Sequence, residues 1–122
     1  MAKILVVDDA LIIRWQLAQI LTKHGHEVAA IARNGREAVE KFEAVRPDVV
    51  IMDIILPEMD GVKAVKEMMK IDKGAKIIMC TSMGQEWFVY EALQAGAKDF
   101  IVKPFSAKQI LEAIDKVTSW DA

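Results

Sequence analysis

Four short apolar runs mark the chain, and each stops at polar residues. Ile4 to Val7 ends at Asp8-Asp9, Val49 to Met52 at Asp53, Lys76 to Cys80 at Thr81-Ser82, and Phe100 to Val102 at Lys103-Pro104. Runs this short and this apolar predict strands covered on both faces. A weaker run, Glu27 to Ile31, lies between Gly25 and Asn34-Gly35. The intervening segments have helical period. Ile13, Leu17, Ile20 and Leu21 form a first stripe, with Gly25 as its stop. Ala38, Val39, Phe42 and Val45 form a second, ended before Pro47. Val62, Val65, Met68 and Met69 form a third, with Gly74 beyond it. Phe88, Ala92 and Leu93 form a fourth inward stripe, stopped by Gly96. Ser106 reads as the N-cap of a fifth, carried by Ile110, Leu111, Ile114 and Val117. Strand and helix alternate five times. The predicted fold is therefore α/β, a (βα)5 doubly wound parallel sheet with helices on both faces.

The chain has 122 residues, room for one domain (1–122) with a core that needs no staples. Its 53% hydrophobic and 28% charged content fits a globular protein. A formal net charge of −2 gives no footprint for nucleic acid or anionic lipid, so neither is an expected partner. The single cysteine, Cys80, excludes an intramolecular disulfide and a multi-cysteine zinc site. No apolar run approaches the ~18–20 residues that span a bilayer. The opening Met1-Ala2-Lys3, followed so soon by Asp8-Asp9, is unlike a signal peptide, and a cytoplasmic location is expected.

Ligands of doubly wound sheets bind where the strands end. Asp8, Asp9, Asp53, Thr81 and Lys103 stand there, drawn from four different strands. One aspartate after a strand means little. Three carboxylates on one rim repel, and a cation relieves them. Hard oxygen ligands with access to water suit Mg²⁺ or Mn²⁺. A metal and a lysine neutralise phosphoryl oxygens, and a hydroxyl donates to one of them. One carboxylate then acts as the nucleophile and becomes an acyl phosphate.

The stretches ILVVDD (4–9), NGREAVEKF (34–42), PDVVIMDIILPEMDG (47–61) and AGAKDFIVKPF (95–105) together resemble the response-regulator receiver domains, the chemotaxis type above all. The resemblance covers essentially the whole chain. It implies a flavodoxin-like sheet in the order 2-1-3-4-5. It implies that Asp53, before the PEMDG turn, is the phosphoacceptor. Asp8 and Asp9 match the acidic pair that holds Mg²⁺, with Asp53 and the backbone carbonyl of Ile55 as further ligands. Thr81 matches the switch hydroxyl, Phe100 the switch aromatic and Lys103 the phosphate-contacting lysine. The Lys103-Pro104 bond matches the family's cis peptide. Phosphodonors would be histidine kinases or small acyl phosphates. An output partner or phosphatase would bind the fourth helix, fifth strand and fifth helix. The chain would be a phosphoacceptor rather than a turnover enzyme, a monomer or a dimer when phosphorylated. A stand-alone chemotaxis role is expected from the ending at Ala122. The alternatives are a phosphorelay receiver and a receiver cut from a DNA-binding regulator.

Three other classes share the architecture. A flavodoxin-type carrier needs a hydroxyl-rich phosphate loop where Asp8-Asp9 stand. A haloacid-dehalogenase phosphatase needs an aspartate where Ile55 stands. A cobalamin domain needs a histidine in an Asp-x-His motif, and His24 and His26 are not placed for it.

Some residues carry finer expectations. Phe100 lacks the hydroxyl of the tyrosine that the best-known members carry, so its coupling is expected to differ in strength. Ile55 and Met83 border the path of a water attacking the phosphoryl group and cannot hydrogen-bond it, which predicts slow dephosphorylation. Among Trp87, Phe88 and Tyr90, Phe88 fits the inward stripe and leaves Trp87 or Tyr90 partly exposed as a partner face. Trp15 and Trp120 pose the same question. His24 and His26 flank a helix end and lack a third metal ligand. Cys80, Met52, Met68 and Met79 read as core, Met59 as part of the turn, and Asp60 as a turn residue rather than a ligand.

Overall fold

Apolar residues on both faces of a strand demand cover on both sides, and the chain supplies it. The computed structural model describes residues 1–119. Its strands are β1 (Lys3–Val7), β2 (Glu27–Ala32), β3 (Val49–Asp53), β4 (Ile77–Thr81) and β5 (Asp99–Val102). They form one parallel sheet in the order β2-β1-β3-β4-β5. Helices α1 (Leu11–Lys23), α2 (Gly35–Val45), α3 (Gly61–Ile71), α4 (Glu86–Ala95) and α5 (Ala107–Thr118) alternate with the strands. Trp120 lies outside the described residues. Among the described residues, no helix is long and apolar enough to cross a membrane.

Alternation along each central strand divides the core in two. Leu5, Val7, Met52 and Met79 pack with Phe42 of α2 and Met68 of α3. Ile4, Val6, Ile51, Ile78 and Cys80 pack on the other face with Leu17 and Leu21 of α1 and Ile114 of α5. The edge strands are less buried, which explains the weak apolar signal of β2; β5, expected to be covered on both faces, is not, because it is an edge strand and leaves Phe100 and Val102 exposed. Three helix starts are capped by side chains: Asn34 accepts from the Glu37 amide, Asp60 from the Lys63 amide, and Ser106 forms a capping box with Gln109. Asp60 is thus an N-cap. Ala10 and Gln85, at the starts of α1 and α4, cap nothing with their side chains.

One helix faces differently from the expectation. On α4 it is Val89 (8% exposed) and Ala92 (0%) that point inward, while Phe88 is 42% exposed. Leu93 lies toward the surface, and Trp87 and Tyr90 are both exposed. Apolar residues run almost all the way round α4, so periodicity did not select a face; packing against α3 and β4 did.

Candidate functional site

The sheet register assembles the site. Val7 pairs with Met52, so Asp8 and Asp53 emerge side by side from β1 and β3. Asp53 pairs with Cys80 and Thr81 with Val102, which brings the ends of β4 and β5 to the same rim. The Lys103 amide donates to the Thr81 carbonyl at 2.7 Å, just before the cis Lys103-Pro104 bond.

Carboxylate oxygens of Asp8, Asp9 and Asp53 lie within 4.8 Å of one another. The Lys103 ammonium donates to Asp8 Oδ2 at 2.8 Å and to Asp53 Oδ2 at 3.3 Å. Asp8 is 1% exposed and fixed from several sides. Its Oδ1 accepts from the Ala10 amide at 2.9 Å, and its carbonyl accepts from Arg14 Nη1 at 2.8 Å. Asp9 is exposed.

These placements set the proton affinities. Burial pushes Asp53 above the usual carboxylate range, and the charge of Asp8 adds to this; Lys103 and the Ile55 amide pull against it. Burial works to lower Lys103, but its hydrogen bond to Asp8 and the charges of Asp53 and Asp8 win and hold its ammonium up. Three acidic groups against one ammonium leave the rim short of positive charge. Oxygen donors so arranged suit a hard divalent cation, with Asp8, Asp9 and Asp53 as its side-chain holders. Burial drives the Cys80 thiol up to about 12, which leaves it an inert core group.

Two glycines bring the turn after β3 close. A Cβ on Gly61 would lie 2.6 Å from the Ile54 carbonyl oxygen and 2.8 Å from that of Asp53. Only glycine lets α3 start so near the strand end. A Cβ on Gly35 would run into the Met59 carbonyl. Asn34 Nδ2 donates to Glu58 at 3.0 Å, so the Asn34-Gly35 loop braces the PEMDG turn.

Thr81 is 3% exposed, and its hydroxyl bonds to Gln85 rather than to any rim carboxylate. Phe100 is 44% exposed. Between them lies a groove of about 310 Å³, lined by Val89, Tyr90, Leu93 and Val102. Trp87 and Tyr90 stack beside it, ring centroids 6.0 Å apart. Ile55 is exposed, with its amide 3.4 Å from Asp53 Oδ1, and Met83 is still more exposed. His24 and His26 are tied up separately: His24 Nδ1 lies 2.9 Å from the Ile20 carbonyl, and His26 Nδ1 accepts from the Ala2 amide at 3.0 Å. Gln85 escaped the sequence reading. Its only signal there was a glutamine where a helix start favours a short capping side chain.

Residues 4–115 match the family model of the response regulator receiver domain. The chain is a member of that family. It is similar to receivers of chemotaxis: 57% identical to the chemotaxis protein CheY of Thermotoga maritima over 95% of this chain and 97% of that one. Identity to CheY of Bacillus subtilis is also 57%, covering 93% and 95% of the two chains. Among solved structures, a receiver domain from Clostridium thermocellum superposes with a TM-score of 0.92 at 28% identity, over 99% of this chain and 97% of that one. A chain of the CheX–CheY–BeF3–Mg²⁺ complex from Borrelia burgdorferi superposes with a TM-score of 0.89 at 38% identity, over 94% of this chain and 87% of that one. This receiver is thus of the chemotaxis-like kind within two-component systems, and its sheet order is the family's.

Proposed function

We propose that this receiver takes a phosphoryl group on Asp53 in a Mg²⁺-dependent reaction. The observation that carries this is the Asp53 carboxylate lying beside Lys103, with Asp8 and Asp9 within reach of one shared cation. Asp8, Asp9, Asp53 and the Ile55 carbonyl would hold Mg²⁺, which when bound would supply charge neutralisation for the phosphoryl transfer. An Asp53 oxygen attacks phosphorus, forming a P–O bond as the P–N bond of a kinase phosphohistidine breaks. The departing imidazole takes a proton from solvent. Lys103 neutralises one phosphoryl oxygen, and Thr81 turns its hydroxyl to donate to another. Water attack on phosphorus later returns the carboxylate and free phosphate. The protein promotes both steps on itself and is not a turnover enzyme.

The phosphorylated form then changes its α4–β5–α5 face. Thr81 vacates space beside the groove, Phe100 turns into it, and the exposed aromatics of α4 are presented anew. A partner that prefers this surface favours phosphorylation by linkage. The chemotaxis names of the two 57%-identical relatives support a chemotaxis-type output partner or phosphatase on this face and a cytoplasmic setting.

Intact-mass spectrometry after incubation with acetyl phosphate tests the chemistry. One phosphoryl adduct is expected with Mg²⁺, and none with chelator or in Asp53→Ala. An adduct that survives Asp53→Ala overturns the assignment.

A further inference from the structure

The Thr81 hydroxyl has a single proton, and in this structure that proton is committed. Gln85 Oε1 lies 2.8 Å from Thr81 Oγ1 and 2.8 Å from the Ser82 amide nitrogen. A backbone amide only donates, so the atom facing it is the carbonyl oxygen of Gln85. The Thr81 hydroxyl is then the donor to that same oxygen. Its other acceptor within reach, the Ser82 carbonyl at 3.2 Å, also lies on the β4–α4 loop. Gln85 stands at the N-cap of α4 yet caps nothing there, because its acceptor is spent on the end of β4.

We propose that Gln85 is a positioning residue that latches Thr81 in the resting state. The proposal rests on Asp53 being the phosphoacceptor and deepens that reading. Thr81 cannot donate to a phosphoryl oxygen on Asp53 while it donates to Gln85. Each activation therefore breaks the Thr81–Gln85 bond, and Gln85 sets how far the unmodified protein leans toward rest. The same side chain connects the hydroxyl to the first turn of α4. Release of the latch frees that turn from the strand end by a route separate from Phe100.

The test is the affinity of the full chain for beryllium trifluoride, a phosphoryl mimic, with Mg²⁺, read by titration calorimetry. Gln85→Met keeps the length and removes the acceptor. It should bind about three- to tenfold more tightly than wild type, the range for a lost neutral hydrogen bond in the resting state. Gln85→Glu keeps an acceptor and should not gain affinity. In a Thr81→Ala background, adding Gln85→Met should change affinity less than twofold, which a merely structural role of Gln85 would not produce. Circular dichroism melting checks folding, and Gln85→Ala serves if the methionine variant is unfolded. Wild-type binding with unchanged or weaker binding in Gln85→Met, or in Gln85→Ala where that replaces it, overturns the latch alone. Failure of wild type itself to bind overturns the phosphoacceptor reading and the latch with it.

Discussion

Asp53 sits where a carboxylate is costly and reactive at once. Burial and Asp8 raise its proton affinity, and Lys103 only partly offsets them. A carboxylate raised in the fold stabilises it fully below its unfolded value, about 3.9, and loses that contribution as pH rises through the raised value. Asp53→Asn should therefore be more stable than wild type at pH 7 in chelator, with the gap closing toward pH 4. Urea midpoints at the two pH values check this, and a gap that widens on acidification contradicts it. Mg²⁺ should stabilise wild type and narrow the gap from the other side. Ile55 makes a second prediction. Asparagine there could hydrogen-bond the attacking water, a gain worth about two- to tenfold in rate. The phosphoryl lifetime of Ile55→Asn, followed by mass spectrometry, should shorten accordingly; an unchanged lifetime removes Ile55 from the water's path. Asp8, Asp9, Asp53 and Lys103 were legible because each is a charged residue ending an apolar run. Gln85 was not, because a glutamine at a helix start signals no particular chemistry until its partners are placed.

Among the elements, the central strands were the easiest to read, since burial on both faces leaves an unbroken apolar run. β2 and β5 lie at the edges; half-exposure diluted the pattern of β2, while β5 kept an apolar run although Phe100 and Val102 are exposed. α4 misled for the opposite reason: it is apolar nearly all round, and only packing into the core shared with α3 and β4 decides that Val89 rather than Phe88 turns inward. The start of α3 depends on a close approach that composition does not reveal. Gly61→Ala would press a methyl against the Ile54 and Asp53 carbonyls, backbone atoms that cannot swing aside. It should cost about 1–3 kcal/mol in urea unfolding, as overpacking does. A neutral result would mean that the turn after β3 yields freely.

At the scale of the whole molecule, the two halves of the core hold five strands whose ends meet at one rim. That rim carries the charge, while the exposed Trp87 and Tyr90 of α4 lie on the same side of the molecule as Phe100 of β5, across one groove. Thr81 and Gln85 stand between them. In the proposed mechanism, charge placed at Asp53 reaches the α4–β5 face through this connection. Amide chemical shifts of the protein with Mg²⁺ can be recorded before and after addition of beryllium trifluoride. Large shifts are expected at Asp53, Thr81, Gln85, the first turn of α4 and Phe100, with α2 nearly unmoved. Shifts confined to Asp8, Asp9, Asp53 and Lys103 would rule the connection out.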